Sequence, residues 1–399
     1  MTPSEASLFF IPLLAVVAPL LGRAVGRWVR VPVVVFELLL GILAGPAVLG
    51  WIAPNEFIDL LAEFGLALLF FVAGTEIEAS ALRGRAGLRA WIGWGISIAA
   101  GIALGWMLTP GLGAIIIGIS LSSTALGTLL PILRDAGELP TPFGRAVSAL
   151  GAVGEFGPLI AISVLLGGRS PGAATIVLMV FLLIALVAIR LALRMPQGAL
   201  HEFVNSTLHT SGQFAIRVVF AIVAALVFLS LVLGIDMLLG AFTAGIVWRL
   251  MMRDATEHDR HAVESKIEGV AFGFLVPIFF IYTGVTFDLT ALLASPLLLA
   301  LVPVALVALL VVRGVPSLLA APEGASARDR WAIALMGATG LPIIVAVTSI
   351  GVDEGILTSA ESAVLVGAGM LSVLLFPLIA MTLRGDDTRA PLFVDGDRA

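Results

Sequence analysis

Between Ala146 and Leu166 the chain reads AVSALGAVGEFGPLIAISVLL, an apolar run with one carboxylate, Glu155, near its centre. A bare carboxylate in the middle of a bilayer costs at least a few kcal/mol. A proton or a bound cation removes that cost, so the group can hold either one and trade them. Gly151, Gly154, Gly157 and Pro158 flank it and leave room for another helix, water or an ion. One site with two competing positive ligands, exposed to alternate sides, is the chemistry of exchange. The bland alternative is a structural glutamate, protonated or hydrogen-bonded to Ser or Thr across helices. Membrane-embedded ionisable groups are functional by default, which favours the first reading.

Two further stretches carry polar groups at membrane depth. The run 112–133 has Ser120, Ser122, Ser123, Thr124 and Gly127 about its centre, and 330–351 has Gly337, Thr339, Gly340 and Pro342. Proline removes a backbone donor, and Gly with Ser or Thr eases unwinding. Both runs are therefore expected to break mid-span, which is tolerated only where the backbone is buried in protein or lines a wet cavity. Crossing half-helices would present ends of both signs to one point. Either run alone is equally well read as packing; both together favour the break.

Other charges are weaker candidates. Glu37 lies several residues inside its apolar run, and Glu63 lies in the outer half of the next one. Glu76 and Glu78 fall at a helix end, where solvation explains them. Arg313, in LLVVRGVP, is within snorkelling range of the interface; a buried Arg313 pairing with Glu76 or Glu155 is the sharper alternative. His201, His209, His258 and His261 fall in loops, and His258 and His261 sit among Glu257, Asp259 and Glu264 as solvated residues or a pH-sensing patch. No Ser-His-Asp set, metal cluster or phosphate loop appears, and with no cysteine there is no thiol chemistry. An enzyme is the least supported class.

The elements that must position these groups follow from composition. The chain has 399 residues, 60% hydrophobic and 12% charged, whereas soluble domains run near a quarter charged. Apolar runs long enough to span a bilayer lie near 8–28, 31–51, 57–77, 88–108, 112–133, 143–166, 172–192, 213–234, 236–252, 271–289, 296–318, 330–351 and 358–383. Alternating the loops with the N-terminus outside puts all of the 22 basic residues except Arg169 on one side, as the positive-inside rule requires. The reading is an all-α polytopic membrane protein of about 13 transmembrane helices, N-terminus outside and C-terminus cytoplasmic. The start lacks a basic n-region, so no cleaved signal peptide is expected. The short tails predict a single transporter domain with no soluble regulatory domain, and 253–269 is its one substantial charged loop.

The spans also repeat. LLGILAG at 39–45 matches LLGAFTAG at 238–245; FFVAGTEIE at 70–78 matches FFIYTGVTFD at 279–288; STALGTLLP at 123–131 matches ATGLPIIVA at 338–346. Order and offset agree, so 8–166 corresponds to 213–383, with 172–192 as a connector. Even-numbered spans pair with odd ones, so the halves are inverted, a plan characteristic of secondary transporters. The repeat counterpart of Glu155 falls near Met370, so the second half offers no matching acid.

In these residues the chain resembles the monovalent cation:proton antiporter-2 family, the sodium/hydrogen exchanger-like domain of Kef-type and NapA-type proteins. The resemblance runs from about 8 to 383. It is carried by ELLLGILAGPAVLG at 37–50, FGLALLFFVAGTEIE at 64–78, SSTALGTLLPIL at 122–133, GAFTAGIVW at 240–248 and PIFFIYTGVTFDL at 277–289. It implies a dimer-forming scaffold and a moving core crossed by two discontinuous helices, working as an elevator. It implies Glu155 as the site that binds Na+ or K+ and the proton, with Thr124, Ser123 and Thr339 at the breaks. Arg313 lies in the helix where relatives carry a membrane-embedded basic residue, with Glu76 and Glu37 as candidate charge partners. No cofactor is expected beyond the transported ions, and no nucleic-acid partner; the partners are lipid and a second copy of the chain, in a bacterial plasma membrane. Two departures matter: relatives carry Asp in the sixth helix after Asp, Asn or Gln, where this chain has Gly154-Glu155, and ATGLP at 338–342 replaces an Arg-Gly-Glu-type stretch. A single acid favours one-for-one exchange. The competing functions are a proton-coupled symporter of an organic anion, which needs cationic site residues and has only Arg313, and a channel or sensor, which leaves the repeat unexplained.

Overall fold

The computed structural model describes residues 3–25, 32–76, 84–167, 170–193, 214–252 and 257–384. Glu78, His201 and His209 lie outside the described residues, as does the side chain of His258. Every apolar run is helical: α1 Pro3–Val25, α2 Val33–Ala44, α3 Glu56–Glu76, α4 Gly84–Leu108, then α5 Leu112–Ser122 and α6 Leu126–Asp135 as two halves of one run. α7 Pro142–Leu165, α8 Pro171–Leu193, α9 Phe214–Val232 and α10 Met237–Met251 follow. α11 Glu257–Val270 passes through a π-helical turn, Ala271–Leu275, into α12 Val276–Thr286, and a short α13 Leu289–Ala294 leads to α14 Pro296–Leu309. Finally α15 Ala327–Gly337 and α16 Pro342–Asp353 share one run, and α17 Ser359–Arg384 closes the described chain. Among the described residues nine helical runs are long and apolar enough to cross a membrane, and four shorter apolar helices complete thirteen. The protein is an all-helical integral membrane protein.

One expectation fails here. The charged segment 253–269 is, from Glu257 on, a helix rather than a loop. It is continuous with the next span, so its bonds propagate from an already formed helix, and it buries Val263 and Ile267.

The helices sort into two bundles by their packing. α3 packs on α10 and α12, α2 on α12 and α1, and α9 on α10. In the other group α4 packs on α5 and α7, α17 on α14, α15 and α16, and α5 on α16. The first bundle is braced by glycines in backbone contact. A Cβ at Gly41 would strike the Ile281 carbonyl and the Cα of Gly284; one at Gly74 would strike the Phe242 carbonyl and crowd Gly245. Small residues permit such approach where lipid supplies no hydrophobic drive. The bundles meet at a narrower seam that includes Phe156 of α7 stacked on Phe242 of α10, 5.6 Å between centroids.

Arg23, Arg134, Arg190, Arg249 and Arg384 lie in the last turns of α1, α6, α8, α10 and α17, at the end called here the arginine-rich face. Arg384, at the end of α17, donates to Glu138 at 2.9 Å and lies 3.3 Å from Asp329 at the start of α15. Its guanidinium covers the Phe143 ring at 3.7 Å. Glu138 is buried, and Thr141 Oγ1 also donates to it at 2.8 Å. Arg384→Met strands a buried carboxylate, so it is expected to cost about 3 kcal/mol, read as a lower Tm in detergent. Adding Glu138→Gln is expected to recover most of the loss.

Candidate functional site

Both runs that carry mid-span Ser, Thr, Gly and Pro are broken, at 123–125 and at 338–341. Pro342 takes the first position of α16, where its missing N–H is no loss. The breaks touch. Ala125 N donates to the Thr339 carbonyl at 2.7 Å, and Thr124 Oγ1 donates to the Gly337 carbonyl at the end of α15. α7 runs alongside, its Gly154 carbonyl accepting from Thr124 N at 3.0 Å. Ser372 of α17 closes the second break: Gly340 N donates to its hydroxyl at 3.1 Å, and the hydroxyl lies 3.1 Å from the Gly340 carbonyl.

Glu155 is 3% exposed and reaches the start of α6. Its Oε1 accepts from Leu126 N at 2.8 Å and Gly127 N at 3.3 Å, while Oε2 is buried with no hydrogen-bond partner. These amides are otherwise unsatisfied, and a helix N-terminus carries partial positive charge. One oxygen is thus fixed and the other is left to bind something else.

Arg313 does not snorkel. It is 0% exposed, inside a π-helical turn, Leu310–Gly314, that extends α14. Its Nε donates to Thr124 Oγ1 at 2.9 Å and its Nη2 to the Leu150 carbonyl at 2.9 Å. Nor does it form an ion pair with Glu37, Glu76 or Glu155: its partners are a hydroxyl and a backbone carbonyl. The turn rotates the side chain inward, and a Cβ at Gly154 would lie 2.8 Å from Nη2. The guanidinium therefore fills the space left by the absent side chain at 154, beside the carbonyl end of α15, where cations are favoured. Glu155 and Arg313 sit at helix ends of opposite sign.

The remaining candidates separate. Ser123 and Thr339 are at the crossing, but Ser123 Oγ donates to the Ser120 carbonyl at 2.9 Å and Thr339 Oγ1 to Leu335 at 3.1 Å. Their hydroxyl hydrogens are used by the break itself. Glu37 is buried on α2, in the other bundle, and Glu63 is exposed. Glu76 is not simply a solvated helix end: its Oε2 is buried without a partner. His261 is exposed. Ser372 and the Leu150 carbonyl were not singled out in the sequence; a lone serine among many and a main-chain oxygen leave no mark there.

Gly154 has no room for a side chain. An added Cβ would lie 2.5 Å from both Cβ and Oγ1 of Thr124, whose hydroxyl is held from two sides. Gly154→Ala is expected to destabilise by about 1–3 kcal/mol through overpacking, measured by thermal unfolding of the purified protein.

Comparison with known proteins agrees with this fold. The family model for "Sodium/hydrogen exchanger, transmembrane" matches residues 13–383. The putative Na(+)/H(+) antiporter YjbQ of Bacillus subtilis (strain 168) is 23% identical over 94% of this chain, which spans 62% of that protein's length. The Na(+)/H(+)-K(+) antiporter GerN of Bacillus cereus is 26% identical over 64% of this chain and 66% of its own. The structure of the sodium proton antiporter MjNhaP1 from Methanocaldococcus jannaschii at pH 8 superposes with a TM-score of 0.67 at 16% identity, covering 96% of this chain and all of that one; it establishes the fold. With the thirteen helices, the two touching breaks and a match over nearly its whole length, the chain belongs to the sodium/hydrogen exchanger family.

Proposed function

We propose that the protein is a secondary active transporter exchanging Na+ or K+ for protons, with Glu155 as the shared site. The observation that carries this is the divided state of Glu155, one oxygen held by the α6 amides and the other buried and unpartnered. A proton or a monovalent cation completes it. With one acid at the crossing, one-for-one exchange follows. Thr124, Ser123 and Thr339 shape the site through the breaks. The names of the relatives, a Na(+)/H(+) and a Na(+)/H(+)-K(+) antiporter, support both ions as candidates.

The two bundles support an elevator: the bundle carrying both breaks moves past a scaffold of α1–α3 and α9–α12, in a homodimer. The glycine crossings support the inverted repeat, because α2 on α12 and α3 on α10 exchange places when the halves are swapped. The arginine-rich face is assigned to the cytoplasm. One observation favours the anion symporter instead: Arg313 is a buried cation at the crossing without a carboxylate. The test is cation-dependent collapse of a pH gradient in proteoliposomes, with each alkali chloride tried in turn against choline. Collapse with Na+ or K+ is expected. Silence with every alkali cation, together with proton uptake driven by an organic anion, would transfer the assignment to the symporter.

A further inference from the structure

On the arginine-rich face, where α3, α10 and α11 meet, a small cavity of about 10 Å3, room for a single water, is lined by Thr75, Trp248, Glu264 and Glu268 among others. Trp248 is 3% exposed, yet its Nε1–H has no acceptor. Glu76, the residue after Thr75 and the last of α3, has a buried Oε2 with no donor. Trp248 Nε1 at the cavity and Glu76 Oε2, one residue past Thr75 of its wall, are thus both buried without partners, and such groups are otherwise satisfied.

The charged groups that act on Glu76 are Arg134, Glu268, Arg249 and Glu264. Arg249 donates to the Thr75 carbonyl, and Arg260 pairs with Glu264 at 3.9 Å. Glu76 is also the charge that Glu155 experiences from the opposite bundle. α3 also packs on α6, the half-helix whose first amides hold Glu155. Acidic groups thus stand at this cavity, Glu264 and Glu268, at the end of α3, Glu76, and in the opposite bundle, Glu155.

We propose that Glu76 is a second carboxylate station on the ion path, holding a monovalent cation or proton between the arginine-rich face and Glu155. The proposal rests on the exchange assigned to Glu155. Glu76 belongs to one bundle and Glu155 to the other, so the station serves this face alone.

Glu76→Gln preserves shape and removes the charge. In everted and right-side-out vesicles, the apparent KM for Na+ or K+ is expected to rise about 10-fold when the cation is offered at the arginine-rich face, the size of one lost carboxylate at moderate dielectric. The KM at the opposite face is expected to stay unchanged. An equal rise at both faces, or none at either, overturns the proposal. A second arm does not need transport: wild type and Glu155→Gln are treated with dicyclohexylcarbodiimide, and the Glu76 adduct is quantified by mass spectrometry in NaCl, KCl or choline chloride. Protection by Na+ or K+ in both proteins is expected and stands even if exchange is absent. Equal labelling in all three salts overturns the station.

Discussion

Glu155→Gln is expected to reduce cation-driven gradient collapse to the level of protein-free liposomes while leaving the protein folded. The amide oxygen of Gln can accept from Leu126 N and Gly127 N as Oε1 does now. The change in stability should therefore stay within about 1 kcal/mol. What disappears is the second oxygen as a place for a proton or cation, since an amide takes neither. The check is a paired measurement: gradient collapse for each salt, and Tm in the same detergent. Persistent exchange in a folded variant would make Glu155 structural and move the site elsewhere. Loss of both exchange and fold would be resolved by Glu155→Asp, which keeps the charge on a shorter arm and is expected to retain some exchange.

Arg313→Met is expected to leave Tm unchanged or raise it, and to lower the exchange rate about 10-fold or more. The argument is a balance of terms. Burying a guanidinium costs several kcal/mol. Its hydrogen bonds to Thr124 Oγ1 and the Leu150 carbonyl return roughly 1.5–3 kcal/mol each. Nη1 is buried with no partner and returns nothing. The residue thus adds little or no net stability, and Met fills similar volume with a flexible apolar chain. A charge retained on those terms fits the proposed exchange, in which Arg313 is the fixed positive charge left at the crossing when Glu155 gives up its cation. Partial recovery with Arg313→Lys, read as rate against KM over a cation series, separates charge from packing. A Met variant that unfolds, or one that exchanges at the wild-type rate, would refute this account.

The fold was legible because lipid makes apolar length a direct code, and the breaks were legible because Gly, Pro and clustered hydroxyls have few other uses at that depth. Pro342 and Thr124 stand where the sequence placed them. Glu155 was legible for the same reason: a carboxylate among glycines has no apolar purpose. Arg313 was misread because position along a span gives depth but not rotation, and the π-helical turn at Leu310–Gly314 supplies the rotation. The Arg384–Glu138 pair was invisible because its members lie 246 residues apart. Glu76 was undervalued because a helix end in sequence is a solvated end only if nothing covers it, and here Oε2 is covered.

The glycine crossings have a mechanical meaning. Helices that touch main chain to main chain, as α2 and α12 do at Gly41 and Gly284, have no side-chain layer in which to shear. The first bundle is locked against sliding at these points. The Phe156–Phe242 contact is of the opposite kind, ring on ring in the offset-tolerant geometry that aromatic pairs favour, and it lies one residue from Glu155.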